Sequence, residues 1–209
     1  MVPNERRQVL KWAAGASAVA LSPQLMQFAR AADDFLKGPP VKDIPAQQLS
    51  QHVWMIYSPD GFPTPENQGM MANVTFVVSQ QGVILLDTGA SVQIGEMAIR
   101  MIKRVTHKSV IAIFNSHYHG DHFLGNQAFI EAYGKDIPIY AHPYSIDQIK
   151  GIEGNAWRNL MERWTNQATL GTQVVAPNQA TEHGKTHQFG DVTLRMHHYG
   201  TAHTPSDLC

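Results

Sequence analysis

One short segment constrains this sequence more than any other: three histidines and one aspartate lie within six residues, directly after the apolar run 110–115. They are His117, His119, Asp121 and His122. Imidazole nitrogens and carboxylates are ligands of zinc, and catalytic zinc sites leave one position open for water. In an extended segment, residues two apart point to the same side, so His117 and His119 can face one ion. After a turn in the chain, Asp121 and His122 can face a second position next to that ion. The pattern therefore predicts a metal site for one or two ions at the end of a strand.

The apolar pattern around this segment predicts an α/β fold. Continuous or alternating apolar residues predict strands at Val53–Tyr57, Asn73–Ser79, Gly82–Thr88, Val110–Asn115 and Ile137–Ala141. Apolar residues at helical spacing predict helices at Ile94–Val105, Gln127–Tyr133 and Trp157–Ala168. A hairpin is predicted at Gln188–Leu194, and His197 and His198 are expected on opposite faces of a strand. These two histidines, with His142, His183 and His187, are predicted to be surface or structural residues.

Composition excludes several classes of protein. The 209 residues carry 16 Lys and Arg against 17 Asp and Glu, a net charge of −1, which does not favour binding to nucleic acid. Hydrophobic residues make up 43% and charged residues 16%, so the chain is expected to fold. Cys209 is the single cysteine, so no intrachain disulfide can form. We expect a small-molecule substrate as the partner.

Residues 1–31 are typical of an export signal. Arg6, Arg7 and their neighbours precede an apolar run over 12–21, and Ala29-Arg30-Ala31 resembles a cleavage site. The paired arginines resemble the twin-arginine signal, which implies the twin-arginine export machinery as a partner. The alternative is an amphipathic helix, but ten residues are too few for a bilayer span of about 20. We predict a periplasmic protein with no membrane segment after cleavage, in which 32–50 form an extended arm.

The histidine-rich segment resembles the metal-binding motif of the metallo-β-lactamase superfamily. The resemblance extends to Asn73–Gly89 and to Gly200–Asp207, and together these segments cover most of residues 50–209. It implies an αββα sandwich with the metal site at one edge of two sheets. The family pattern continues past its third metal-binding stretch to an acidic bridging ligand and a final histidine. We therefore expect 51–209 to be a truncated domain that lacks the C-terminal half of this sandwich.

The resemblance also implies roles for individual residues. His117, His119 and His203 would hold a first zinc, and Asp121 with His122 would begin a second, giving two zinc ions in the full-length enzyme. Asp87, at the end of a predicted strand, would support the metal-binding loop. A plain turn residue is the alternative interpretation of Asp87.

The function implied is that of an exported zinc-dependent hydrolase, in which metal-bound hydroxide attacks the carbonyl of a β-lactam, a thioester or a related ester or amide. Asp121 would bind metal and orient the nucleophile. Phe62, Trp157 and Trp164 are substrate-binding candidates, with ordinary packing as the alternative. Two other functions stay open: a truncated, non-catalytic zinc-binding remnant, and an iron-dependent relative such as a persulfide dioxygenase, since imidazole and carboxylate also suit iron.

Overall fold

A seven-stranded mixed sheet and a two-stranded hairpin form the framework of residues 36–209, which are the residues that the computed structural model describes. The large sheet contains β1 (Gln47–Gln48), β2 (Val53–Ile56), β3 (Val74–Val78), β4 (Val83–Leu86), β5 (Val110–Phe114), β6 (Ile139–Ala141) and β7 (Gln179–Ala180). The hairpin contains β8 (Thr186–Phe189) and β9 (Val192–Arg195). The helices are α1 (Val92–Val105), α2 (Gly120–Phe123), α3 (Asn126–Tyr133), α4 (Pro143–Lys150) and α5 (Ile152–Trp164). The mixed α/β fold predicted from the sequence is confirmed.

The strands of the large sheet follow one another in chain order from β1 to β7. Neighbours up to β4 are antiparallel, and β4 to β7 are parallel. Parallel neighbours need crossover connections, and α1, the α2–α3 pair and the α4–α5 pair provide them. Because β4 and β5 are parallel neighbours, with Leu86 opposite Phe114, the segments that follow them emerge at the same edge of the sheet.

Both faces of the large sheet are covered. On one face, Phe76 and Leu85 belong to a core that includes the apolar side of α1. On the other face, Val77 and Ile84 pack in a second cluster with Met196 and with residues of the hairpin. The alternation of side chains along β3 and β4 explains this division, since successive residues of a strand point to opposite faces.

Strands β1 and β7 and helix α2 were not predicted from the sequence, and α5 begins at Ile152 and not at Trp157. Three further details differ from the sequence-based expectation. Helix α4 was not predicted; Pro143 occupies its first turn, and the His142 side chain accepts a hydrogen bond from the Tyr144 amide. Helix α5 ends at Trp164 and not at Ala168, because residues 166 and 167 adopt left-handed backbone angles.

The third difference concerns two histidines. The prediction that His197 and His198 alternate on a strand is wrong, since both follow the end of β9 at Arg195. His197 instead exchanges two backbone hydrogen bonds with Cys209. The predicted export signal over 1–31 lies outside the described residues. Within the described part of the chain, no helix has the length and apolar character needed to cross a membrane.

The close approach of the β4 and β5 connections can be tested at Gly125. A Cβ atom there would lie 2.1 Å from the Thr88 carbonyl oxygen, so we expect Gly125→Ala to lower the free energy of unfolding by about 1–3 kcal/mol. At Gly61 an added Cβ meets nothing within 4 Å, so Gly61→Ala should leave stability unchanged. Urea unfolding followed by circular dichroism measures both variants. Equal midpoints for the two would contradict this account of the packing.

Candidate metal centre

The metal-binding loop starts where β5 ends. The chain bends at each of residues 116–119, so the extended segment that the sequence predicts is not formed, although His119 itself has extended backbone angles; α2 begins at Gly120. A Cβ atom at Gly120 would lie 2.9 Å from the Cβ of Trp157, so glycine at this position lets α5 pack directly against the loop. The turn into α2 separates His117 and His119 from Asp121 and His122, as the sequence predicts.

Three histidines converge at this edge of the sheet. His117, His119 and His203 each offer a ring nitrogen, and these atoms all lie within 4.8 Å of one another. His119 Nδ1 and His203 Nε2 are 3.0 Å apart. The rings of His117 and His203 have centroids 4.9 Å apart. His117 and His119 come from the histidine-rich motif, and His203 lies 84 positions beyond His119. We call these three residues the three-histidine cluster.

The chemistry of the three-histidine cluster fits a metal ion. His117 is 5% exposed, and its Nε2 atom is buried with no hydrogen-bond partner among the described residues. Burial, together with the nearby His122, lowers the pKa of His117 to about 4. The ring is therefore neutral at pH 7 and keeps a free lone pair. A buried, unpaired ring nitrogen is costly in an apolar setting, and a metal ion would satisfy it.

Asp121 and His122 lie beside the three-histidine cluster but form a pair of their own. His122 Nε2 is 3.1 Å from Asp121 Oδ2, and His122 Nδ1 is 2.8 Å from Asp87 Oδ2. Burial alone would lower the pKa of His122, but the two carboxylates outweigh burial and raise this pKa to about 10. The pKa of Asp121 is lowered despite burial, because His122 donates a hydrogen bond to it. This half of the motif is therefore an ion pair in the metal-free protein.

Asp87 connects the end of β4 to the metal-binding loop. Its carboxylate accepts hydrogen bonds from the Ser116 amide and the Ser116 hydroxyl, both at 2.8 Å. Its backbone is left-handed, with a φ of 59°, a strained conformation for a residue other than glycine. The Ser116 hydroxyl also lies 2.9 Å from His117 Nδ1. These contacts are those of a residue that supports the loop.

Asp207 supports the third histidine, and the sequence analysis assigned it no role. Its carboxylate accepts hydrogen bonds from the Thr204 amide at 2.8 Å and from the Thr204 hydroxyl at 2.6 Å. The Leu208 amide donates to the Ser116 carbonyl at 2.9 Å, which ties this segment to the metal-binding loop. His203 itself is exposed. The Thr-x-x-Asp spacing, typical of a local side-chain to backbone turn, is the signal that could have identified Asp207.

The three substrate-binding candidates form a chain of ring contacts that starts at the cluster. Trp157 has its ring centroid 4.7 Å from that of His119, and Trp164 follows at 6.5 Å from Trp157. Phe62 then lies 5.0 Å from Trp164. We call Trp157, Trp164 and Phe62 the aromatic track.

Comparison with known proteins identifies the family. The model of the Metallo-beta-lactamase superfamily matches residues 68–209, a range that contains every residue of the three-histidine cluster. The chain belongs to the metallo-β-lactamase superfamily. Its fold is similar to that of the subclass B3 metallo-β-lactamase of Bradyrhizobium japonicum, with a TM-score of 0.58 and 21% identity over 80% of this chain. A metallo-β-lactamase of Cronobacter sakazakii with mutations in its HARLDQ motif gives a TM-score of 0.56 at 18% identity over 79% of this chain.

Another similar protein is named for an activity other than β-lactam hydrolysis. The linear primary-alkylsulfatase of a Pseudomonas strain is 28% identical over 76 residues, which cover 35% of this chain and 14% of the relative. The chain also spans less than three fifths of the two β-lactamase structures, at 56% and 57% of their lengths. The comparisons therefore establish the superfamily and its fold, and the activity of this chain is a separate question.

The support from Asp207 predicts a measurable effect on metal affinity. Asp207 accepts its hydrogen bonds from Thr204, next to His203, so we expect Asp207→Ala to weaken zinc binding by about 10-fold, the lower end of the range for groups that orient metal ligands. In Asp207→Asn the amide oxygen can still accept from the Thr204 amide, so most of the affinity should remain. Competition of the purified protein with a chromophoric zinc chelator measures both.

The matched control for this experiment is Asp191→Ala. Asp191 also accepts a backbone hydrogen bond, from Gln80 at 2.7 Å, but it lies on the hairpin turn. Zinc affinity should not change in this variant. A wild-type zinc affinity in Asp207→Ala would show that His203 is held by other contacts.

Proposed function

We propose that the protein is an exported, metal-dependent hydrolase that cleaves a carbonyl compound. One observation carries the proposal: the buried, unpaired Nε2 atom of His117 lies in a cluster with His119 and His203. Three histidines with ring nitrogens this close form the protein part of a catalytic zinc site, in which a fourth position stays open for water. Membership of the metallo-β-lactamase superfamily supports the same chemistry.

His117, His119 and His203 would hold the metal ion. When bound, a divalent metal ion supplies Lewis acidity and activates water at neutral pH. Zinc is the proposed ion, with two per chain if Asp121 and His122 contribute to a second position. Iron is the alternative, because the same donor set binds it.

The chain's own residues provide charge and orientation. Asp121 is 8% exposed, and its lowered pKa keeps it ionised at neutral pH. We propose that its carboxylate accepts a hydrogen bond from the attacking water and so orients it. His122, fixed between Asp87 and Asp121, holds this carboxylate in place. Burial of these groups strengthens the electrostatic interactions within the site.

The proposed substrate is a small molecule with a reactive carbonyl: a β-lactam, a thioester, or a related ester or amide. The similarity to β-lactamase structures is consistent with the first of these. A sulfate ester is a second candidate, and the observation that favours it is the sequence match to the alkylsulfatase.

Metal content and activity test the proposal together. The full-length protein, purified without chelators, should contain zinc and hydrolyse a chromogenic β-lactam, thioester or sulfate ester. His117→Ala removes the buried ligand, so we expect loss of bound zinc and at least a 100-fold loss of hydrolysis, on the order of an essential metal ligand. Elemental analysis and initial rates measure the two effects.

His107→Ala is the control, because His107 is exposed and lies outside the cluster. It should retain zinc and activity. Undiminished hydrolysis in His117→Ala would contradict the metal assignment. A wild-type protein that binds zinc but hydrolyses no member of these classes would favour the non-catalytic remnant, and iron in place of zinc would favour the oxygenase-type relatives.

Export to the periplasm is the remaining part of the proposal. Arg6, Arg7 and the Ala29-Arg30-Ala31 segment support it. N-terminal sequencing of the protein from its native cells should begin at Ala32. The double variant Arg6→Lys, Arg7→Lys should remain unprocessed in the cytoplasm, because the twin-arginine machinery reads the paired arginines. Normal processing of this variant, or a wild-type protein that begins at Met1, would contradict export by this route.

A further inference from the structure

The aromatic track joins the three-histidine cluster to a cavity. Its inner end, Trp157, packs against His119, and its outer end, Phe62, lines an open cavity of about 610 Å³. The walls of the cavity come from 41–44 in the arm and from the loop 59–70. Trp157 and Trp164 are both partly exposed. An apolar surface therefore extends from a proposed metal ligand to this cavity.

Phe62 is held in an exposed position. Its side chain is 56% exposed, although it contacts Trp164. The loop that carries it is fixed by Asn67, whose side chain donates to the Phe62 carbonyl and accepts from the Thr64 and Gly69 amides, each at 2.9 Å. An ordered loop that presents a phenyl ring next to other exposed apolar surface is typical of a ligand-binding site.

The chemistry of this surface favours an apolar, unbranched ligand. The three rings of the aromatic track carry no charge, and Val41, Ile44 and Met70 contribute apolar wall to the cavity. Charged side chains in the lining are those of Lys42, Asp60 and Glu66. Phe62 is two ring contacts from Trp157, with centroid distances of 6.5 Å from Trp157 to Trp164 and 5.0 Å from Trp164 to Phe62. A ligand that uses the whole surface must be long and apolar.

The geometry points to an amphiphilic substrate whose scissile group lies at the three-histidine cluster and whose alkyl or acyl tail lies along the aromatic track toward Phe62. The placement of the scissile group rests on the proposed hydrolytic function. The placement of the tail rests on the aromatic track and the cavity, and it can be tested without hydrolysis.

Binding to the metal-free full-length protein is the first test. Dodecanoate and butanoate, both below micellar concentrations, are titrated while tryptophan fluorescence is recorded. Each methylene buried contributes about three- to fourfold in affinity, so dodecanoate should bind more than about 100-fold tighter than butanoate. In Phe62→Ala this ratio should fall by about tenfold or more.

Ile152→Ala is the matched control, because Ile152 is an 85% exposed apolar residue of the same helix as the two tryptophans and lies outside the aromatic track. It should leave the ratio unchanged. Equal affinities for the two carboxylates in the wild type, or an unchanged ratio in Phe62→Ala, would overturn the inference.

Kinetics of the zinc-loaded protein separate this inference from the proposed function. With p-nitrophenyl dodecanoate and butanoate, kcat/KM should favour the longer ester, and Phe62→Ala should reduce that preference mainly through KM. Tail-dependent binding of the carboxylates without hydrolysis of either ester would support the aromatic track and contradict the hydrolase. Hydrolysis of both esters with equal kcat/KM, and with no tail-dependent binding, would support the hydrolase and overturn the inference.

Discussion

The site depends on one carboxylate, that of Asp87, which joins the ends of two neighbouring parallel strands. It accepts two hydrogen bonds from Ser116, at the start of the metal-binding loop, and contacts His122, at its end. Asp87 can do this because its backbone takes up a left-handed conformation directly after β4. Three neighbouring polar groups then complete the support: Thr88, Asn115 and Asn126 hydrogen-bond to one another or to the His122 carbonyl. These hydrogen bonds fix both ends of the metal-binding loop to the ends of β4 and β5.

This support divides the histidine-rich motif into two chemically different halves. His117 is buried without a charge partner, stays neutral and keeps a free ring nitrogen. His122 is buried between two carboxylates, and its raised pKa keeps it protonated at neutral pH. A protonated imidazole has no free lone pair, so His122 would have to lose a proton to serve as a metal ligand. The three-histidine cluster needs no such step at His117. Residues that look equivalent in the sequence thus differ in charge and in hydrogen bonding.

Much of this arrangement could be predicted from the sequence, and the reasons for the rest are physical. Strands β2 to β6 and helix α1 have strong apolar periodicity, and their predicted bounds differ from the structure by at most two residues, whereas β1 and β7, of two residues each, were not predicted. The convergence of His203 with His117 and His119 was predicted from family resemblance, since 84 residues separate His203 from His119 and no local pattern links them. Helix α4 was missed because its apolar periodicity is weak and its start depends on the cap at His142. The hydrogen bonds of Asp207 to Thr204 are local and agree with the Thr-x-x-Asp spacing, but the bond from the neighbouring Leu208 amide to Ser116 is a tertiary contact that no local pattern indicates.

The position of the third histidine shows why metal binding and catalysis are separate questions for this chain. His203 is exposed, and its side-chain contact is to His119, a partner that would also be a metal ligand. Two hydrogen bonds that involve the backbone hold this segment. The Thr204 amide donates to the Asp207 carboxylate, and the Leu208 amide donates to the Ser116 carbonyl. These contacts connect the segment that carries His203 to the metal-binding loop after β5. Catalysis needs more than a bound ion, because substrate must also be oriented at it. The aromatic track would provide this orientation of the substrate.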